Sequence, residues 1–215
     1  MSRASDDPLD WSAWALLLID VQKDFWTPGH QQLFPDFPRS ISRLLAFCRA
    51  KHIDVVHVHS RFRADRSDWM PPHNLLGSIP CIEGTGGDAV LPEAAPTPGE
   101  ALFVKQTFDA FHLPELSSHL HAAGKRILLT AGLETSYCVL LTSTAACQHG
   151  FLTVMLEDSC ADDPDFDPRA TSAFLDRHVG KIFWRSSLPR LVDTHAEWME
   201  KLAALDRLQD DASPC

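Results

Sequence analysis

Three predicted β-strands of this sequence lead into residues that could do chemistry together. The apolar run beginning at Trp14 ends in the carboxylate Asp20, and a second apolar run leads into Lys105. A third leads through Gly132 into the thiol of Cys138, at the start of a predicted helix. The carboxyl ends of parallel strands meet at one edge of a sheet, so these side chains could lie close together. A thiol beside a base and a cation is suited to nucleophilic attack on a carbonyl carbon.

Each of these residues also has an ordinary structural interpretation. Asp20 could cap the turn that follows its strand, since Asp is common in that position. Lys105 could be a solvated surface charge, and Cys138 could be a small buried hydrophobe, as most free cysteines are. The placement of all three at strand ends favours the catalytic interpretation over three independent structural roles.

The elements that must position these residues follow an alternating pattern. Continuous apolar runs predict buried strands at 14–20, 53–59, 101–104, 126–131, 151–156 and 181–184. Helical periodicity predicts helices at 40–50, 115–123, 136–149, 168–177 and 188–205. This alternation predicts an α/β fold, a parallel sheet with helices on both faces. Residues 60–100, rich in Pro and Gly, break the alternation and are either functional or a partner-binding excursion.

Composition and charge exclude several classes of protein. The 215 residues are 45% hydrophobic with a formal net charge of −10, which argues against nucleic-acid binding. We expect one domain over 1–215, with a polar tail at about 1–10 and a frayed tail from about 210. No apolar run is long enough for a membrane span, and the N-terminus resembles no signal peptide. The six cysteines form no CxxC pair, so we expect a reduced, cytoplasmic protein.

Four sequence blocks resemble the isochorismatase-like cysteine hydrolases. They are DVQKDFW (20–26), CIEGTGG (81–87), VKQTFDAF (104–111) and GLETSYCVLLTSTAACQHGF (132–151), and the resemblance covers about residues 14–184. It implies a Rossmann-like, three-layer α/β/α fold with a six-stranded parallel sheet in the order 3-2-1-4-5-6. It also implies that Asp20, Lys105 and Cys138 form a catalytic triad. Isochorismatases proper typically carry a small residue in place of the cysteine, so Cys138 favours the branch that cleaves carbon–nitrogen bonds of small amides or ureides.

The physical chemistry of this triad predicts a thioester mechanism. Unpaired N–H groups at the start of a helix and the positive charge of Lys105 favour a thiolate at Cys138. Asp20 would take the thiol proton and later give it to the leaving amine. The resemblance further implies an oxyanion hole from the backbone N–H groups of Glu134 and Cys138, with a cis peptide between Leu133 and Glu134.

Substrate contacts are predicted from residues beside the blocks. We expect Phe25, Phe111 and Tyr137 to bind a small-molecule substrate, with Tyr137 alternatively facing a neighbouring subunit. Trp26 fits a pocket wall and the core equally well. The Glu134 side chain either reaches the pocket, where it would select a cationic or donor-rich substrate, or points away, for example to an arginine.

A metal site is the main alternative to a metal-free mechanism. His57 and His59 share one face of a strand, and His73 follows downstream. Nicotinamidases of this superfamily bind metal through an Asp-x-His pair that this sequence lacks, so we expect no metal and no cofactor. Two alternatives remain: a metal-dependent nicotinamidase, and a catalytically idle oligomeric interaction protein. The resemblance also implies a homo-oligomer, a dimer or tetramer, with 60–100 and the last helix as candidate interfaces.

Overall fold

A six-stranded sheet forms the centre of the computed structural model, which describes residues 9–179 and 181–212. The strands are β1 (Trp14–Ile19), β2 (Asp54–Ser60), β3 (Ala101–Lys105), β4 (Ile127–Leu133), β5 (Leu152–Ala161) and β6 (Trp184–Ser186). Their order is β3-β2-β1-β4-β5-β6, and every neighbouring pair is parallel. The predicted fold class and strand order are confirmed.

Helices connect the strands and cover both faces of the sheet. They are α1 (Pro28–Leu33), α2 (Phe37–Ala50), α3 (Pro71–Leu76), α4 (Pro114–Ala122), α5 (Leu140–Gln148), α6 (Pro168–Phe174), α7 (Leu188–Asp193) and α8 (His195–Ala212). Short 3-10 turns lie at Lys23–Phe25, Pro92–Ala94 and Ala110–His112, and π-helical turns at Thr135–Val139 and Leu175–Val179. No helix in the described ranges is both long enough and apolar enough to cross a membrane.

The alternation of side chains along β1 divides the core into two halves. Leu16 and Leu18 belong to one apolar cluster, which contains the buried faces of α2 and α8. Leu17 and Ile19 belong to a second cluster, which contains apolar residues of α4 and α5. Successive side chains of a strand point to opposite faces, so a strand covered on both sides must be apolar throughout. This is why β1 appears in the sequence as an uninterrupted apolar run.

Several element boundaries differ from the sequence prediction. The predicted helix over 136–149 begins as the π-helical turn Thr135–Val139, and the predicted last helix is divided into α7 and α8. The sixth strand was predicted at 181–184 but pairs with β5 only from Trp184, and the residue before it, Phe183, is buried in the core. The tail expected to fray from about 210 continues α8 to Ala212, while residues 1–8 and 213–215 lie outside the described residues.

Residues 60–100 fold onto the chain with their own small apolar cluster. Phe62, Trp69 and Ile79 form that cluster, and α3 lies between Trp69 and Ile79 in sequence. An antiparallel bridge between Gln22 and Val90 ties the segment to the turn after β1. The segment therefore lies beside the end of β1, where Asp20 is found.

Candidate active site

Asp20 is positioned by the end of β1. Its side chain is fully buried, and its backbone N–H donates to the Val58 carbonyl at 2.8 Å. The φ angle of Asp20 is +52°, a left-handed conformation that Asp adopts more readily than most residues. A hydrogen bond to this carboxylate contributes to the raised pKa of both Lys105 and Cys138.

Lys105, at the end of β3, places its ammonium group between the other two members of the predicted triad. Nζ lies 2.7 Å from Oδ2 of Asp20 and donates to Sγ of Cys138 at 3.3 Å. It also donates to Oγ of Ser60 and to the carbonyl of Thr107, each at 2.9 Å. The ammonium group thus has four close polar neighbours for its three N–H donors. Lys105 is only 1% exposed, so its charge is fixed in place and compensated by Asp20.

The π-helical turn after β4 holds Cys138 against this pair of charges. Ser136 donates to Asp162 through both its backbone N–H, at 2.8 Å, and its hydroxyl, at 2.7 Å. Gly132 allows the turn to begin close to β1, because a Cβ atom there would lie 2.0 Å from the Ile19 carbonyl oxygen. The φ angle of Gly132, +127°, also favours glycine.

Burial and the charge of Asp20 raise the pKa of the Cys138 thiol, and Lys105 opposes them without overcoming them. For Lys105, burial alone would lower the pKa, but the negative charges of Asp20 and Cys138 outweigh it, so the pKa of the ammonium is raised. The sequence analysis expected Lys105 and the helix start to favour the thiolate. The structure instead raises the pKa of the thiol, because burial and the charge of Asp20 outweigh Lys105.

A cavity of about 460 Å³ opens above Lys105 and Cys138. Much of its wall comes from residues 60–100, including Phe62, Met70, Pro72, His73, Ile79 and Pro80. The segment that interrupts the strand–helix alternation thus forms part of the pocket. The cavity has room for a small molecule and is lined mainly by apolar groups with a few polar ones, as ligand sites usually are.

The aromatic residues predicted to bind substrate separate into two groups. Phe25 and Tyr137 line the cavity. Phe111 does not: its ring stacks on His149 with centroids 4.9 Å apart and belongs to the core. Its backbone N–H donates to Oδ1 of Asp109 at 2.8 Å, the residue that precedes the 3-10 turn Ala110–His112. Phe108 lines the wall instead, stacked on Tyr137 at 5.7 Å.

Comparison with known proteins identifies the family. The Isochorismatase domain model matches residues 14–178. The chain belongs to the isochorismatase family. A maleamate amidohydrolase of Pseudomonas putida is 31% identical over 179 residues, which are 80% of this chain and 83% of that protein. The ureidoacrylate amidohydrolase RutB of Agrobacterium fabrum is 32% identical over 194 residues, 78% of this chain and 85% of that protein.

Solved structures agree with this assignment. The crystal structure of an isochorismatase family protein from Desulfovibrio vulgaris has a TM-score of 0.76 and 28% sequence identity, and the match covers 86% of this chain and 99% of that chain. The predictions of an isochorismatase-like family and of a hydrolase are confirmed.

In this isochorismatase-family protein, Glu134 lines the cavity. Its Oε1 lies 3.2 Å from Nε2 of the buried His30, so its neighbour is a histidine and not the arginine considered in the sequence analysis. The peptide between Leu133 and Glu134 is cis, as the resemblance implies. The oxyanion hole formed by the backbone N–H groups of Glu134 and Cys138 stays a prediction.

The histidines considered as metal ligands lie in two places. Nε2 of His57 contacts Oε2 of Glu100 at 2.8 Å, and Glu100 also pairs with Arg49. The His59 ring lies 6.0 Å from that of His57, and burial lowers the pKa of His59 to about 4. His73 instead lines the cavity, on α3. Within 9–179 and 181–212, no group of three or more His, Cys, Asp or Glu is arranged to hold a metal ion.

Residues without a role predicted from sequence also support the site. The Ser60 hydroxyl accepts a hydrogen bond from Lys105. The Gln22 side chain accepts from the backbone N–H of Ser60 and donates to the backbone carbonyl of Ser60, each at 2.8 Å.

Asp24 supports the segment 60–100, which forms part of the cavity wall. Its Oδ2 accepts from the backbone N–H of Cys81 at 2.7 Å, and a Cβ atom on Gly87 would lie 2.0 Å from the same oxygen. Ser60 ends β2, so the rule that pointed to Asp20 could have found it too. Gln22 and Asp24 lie in the block at 20–26, but their positions in the sequence do not indicate which residues they contact.

Proposed function

We propose that this protein is a cysteine amidohydrolase that cleaves a carbon–nitrogen bond of a small amide or ureide through a thioester on Cys138. The observation that carries the proposal is the position of Nζ of Lys105, 2.7 Å from Asp20 and 3.3 Å from the thiol, below a cavity of small-molecule size. The names of the relatives, a maleamate and a ureidoacrylate amidohydrolase, support the same reaction class.

The first half of the reaction forms the thioester. Asp20 accepts the thiol proton as Sγ attacks the substrate carbonyl carbon, and the carbonyl electrons move to oxygen. The backbone N–H groups of Glu134 and Cys138 stabilise that oxyanion. When the intermediate collapses, the carbon–nitrogen bond breaks and Asp20 returns the proton to the leaving nitrogen, which departs as ammonia or an amine.

The second half regenerates the enzyme. A water molecule attacks the thioester carbon while Asp20 accepts its proton, and the carbon–sulfur bond then breaks to release the acid. The proton on Asp20 returns to the thiolate. Throughout, the Lys105 ammonium compensates the negative charge that moves between carboxylate and sulfur, which is costly in a buried site without a counter-charge.

We propose that these steps need no metal ion. The nucleophile, the base and the oxyanion donors all come from the chain, and none of their roles requires a Lewis acid. The candidate metal ligands are separated, since His73 lines the cavity and neither His57 nor His59 does.

The proposal is tested by replacing the nucleophile. We expect Cys138→Ala to abolish ammonia release from a panel of small amides, with an unchanged circular dichroism spectrum, because only the attacking sulfur is lost. Cys147→Ala is the matched control, since that free cysteine lies on α5 and does not line the cavity. Activity of Cys138→Ala within about tenfold of the parent, roughly 1.4 kcal/mol of barrier, would refute the covalent mechanism.

A further inference from the structure

The charged side chains around the cavity are predominantly acidic. Asp24, Glu134 and Asp163 line it, and no arginine of the described residues does. Lys105 lines it as well, but its charge is paired with that of Asp20. His73, the remaining titratable ring on the wall, directs Nδ1 toward the Ser78 carbonyl at 3.3 Å. The wall above the thiol therefore carries net negative charge.

Glu134 is held in this wall by a buried support. His30 is 2% exposed, its Nε2 faces Oε1 of Glu134, and its Nδ1 lies 2.9 Å from the Thr27 hydroxyl. The Glu134 contact is the one polar contact of Nε2 among the described residues. The contact therefore holds one oxygen of Glu134 against His30.

Asp163 contributes negative charge beside Tyr137. Burial raises the pKa of the Tyr137 hydroxyl, and the charges of Asp163, Glu134 and Asp162 raise it further. Asp162 has its own partners, since it accepts from Ser136 and Thr171. Oδ1 of Asp163 accepts from the Asp165 N–H at 2.9 Å, which leaves Oδ2 for another donor. Glu134 and Asp163 are thus two carboxylates on the cavity wall, each with an oxygen to offer.

We propose that this cavity selects an amide or ureide that carries an ammonium or amidinium group, and that Glu134 and Asp163 bind that cationic group. The reaction in this inference is the one in the proposed function, whereas the charge selectivity does not depend on that function. Maleamate and ureidoacrylate are both carboxylates, and a carboxylate in this cavity would face Glu134 and Asp163 without a free cation to pair with. The chain thus shares a reaction class with these relatives and differs in the charge of its substrate.

The selectivity can be measured without knowing the substrate. Cationic trimethylammonioethyl methanethiosulfonate and anionic sulfonatoethyl methanethiosulfonate both form a mixed disulfide with a thiol and release methanesulfinate. Their rates at Cys138, followed by peptide mass spectrometry, are divided by their rates with free 2-mercaptoethanol. We expect the cation-to-anion ratio to be at least about 10, since carboxylates on the same cavity wall attract one reagent and repel the other.

Variants assign this selectivity to the two carboxylates. Glu134→Gln should reduce the ratio several-fold, and Asp163→Asn should reduce it independently, which protects the test if one variant does not fold. Glu115→Gln is the matched control, because it removes the same charge from the exposed start of α4 and should leave the ratio unaltered. A parent ratio near one, or an equal decrease in the Glu115 variant, would overturn the proposal.

An amide series separates this inference from the proposed function. The compounds 4-aminobutanamide, pentanamide and succinamate have similar length and carry positive, zero and negative charge. We expect kcat/KM for ammonia release to be highest for the cation and lowest for the anion, and Glu134→Gln to reduce the preference. Turnover that requires Cys138 but favours succinamate would overturn the inference alone. A high thiol-modification ratio with no turnover of any amide would count against the proposed reaction and leave the charge selectivity standing.

Discussion

The thiol of Cys138 lies close to two opposite charges that act on its pKa in opposite directions. After burial, the carboxylate of Asp20 is the next largest influence that raises this pKa, and Lys105 lowers it. A thiol with a raised pKa is mostly protonated near neutral pH, so its nucleophilicity depends on a base that acts during the reaction. The two charged residues can therefore be distinguished by comparing thiol reactivity with turnover.

We expect Asp20→Asn and Lys105→Met to shift thiol reactivity in opposite directions while both reduce turnover. Asp20→Asn removes a negative charge, so the thiol pKa falls and alkylation near neutral pH becomes faster, although the base needed for turnover is lost. Lys105→Met removes a positive charge, so the thiol pKa rises and alkylation slows. The measurement is the iodoacetamide rate at Cys138 as a function of pH, set beside steady-state ammonia release.

Superimposable alkylation profiles in the three proteins would show that neither charge acts on the thiol. Full steady-state turnover by Asp20→Asn would refute its role as the base. Lys105→Met also leaves Asp20 buried without a counter-charge, which costs roughly 3–5 kcal/mol, so its folding is checked by thermal melting before kinetics.

At the scale of elements, the site depends on the close approach of β4 to β1. Gly132 pairs with Ile19, and a side chain there would collide with the backbone that leads into Asp20. Neither strand can move away easily, because both are central in the sheet and covered on both faces. Glycine at this position is thus a requirement of packing as well as of backbone conformation.

We expect Gly132→Ala to destabilise the fold by several kcal/mol, measured by urea denaturation. Gly150→Ala is the matched control, since Gly150 also has a positive φ, +88°, but no atom lies within 4 Å of the Cβ position. It should cost only about 1–2 kcal/mol, the conformational penalty alone. Equal losses in the two variants would show that the contact with Ile19 does not limit the structure.

At the scale of the whole molecule, buried titratable groups outside the triad make stability depend on pH. Burial lowers the pKa of His59 to about 4, whereas an unfolded histidine titrates near 6.5. The unfolded chain therefore binds a proton first as pH falls, and stability decreases between these two values. The pKa of Glu100 is lowered to about 2, because hydrogen bonds from Arg49, Thr97 and His57 outweigh burial, so its contribution is lost only at lower pH, from about 4.5 downward.

We expect the free energy of unfolding to decrease by about 1–3 kcal/mol between pH 7 and pH 4, and His59→Phe to reduce this dependence. The measurement is urea denaturation at a series of pH values. His112→Gln, a change at an exposed histidine, is the control and should keep the parent dependence. An equal dependence in the His59 variant and the parent would contradict this assignment.

The proposed metal independence is tested on the whole protein. We expect full activity after exhaustive treatment with EDTA and 1,10-phenanthroline, and no stoichiometric zinc, manganese or iron by elemental analysis. The proposed steps ask nothing of a metal, and the sequence after β2 lacks the carboxylate–histidine pair of the nicotinamidases. If chelation removed activity and one added metal restored it, the metal-dependent alternative would replace the present proposal.

Local patterns in the sequence determined the sheet and the positions of the proposed triad. A parallel strand covered on both faces must be a continuous apolar run, so a polar residue that ends such a run marks the carboxyl edge of the sheet. Asp20 and Lys105 were found in this way, and the resemblance supplied the strand order. Strand and helix ends were less well predicted, because pairing across strands sets them, as the late start of β6 at Trp184 illustrates.

The tertiary structure alone decided which residues form the wall of the cavity and in which direction the pKa of the thiol is shifted. Phe108 and Phe111 belong to one short aromatic stretch, yet one lines the cavity and the other packs into the core. The contact of Glu134 with His30 and the raised pKa of Cys138 likewise have no periodic signal in the sequence. Each depends on the distance between groups far apart along the chain, and folding fixes that distance.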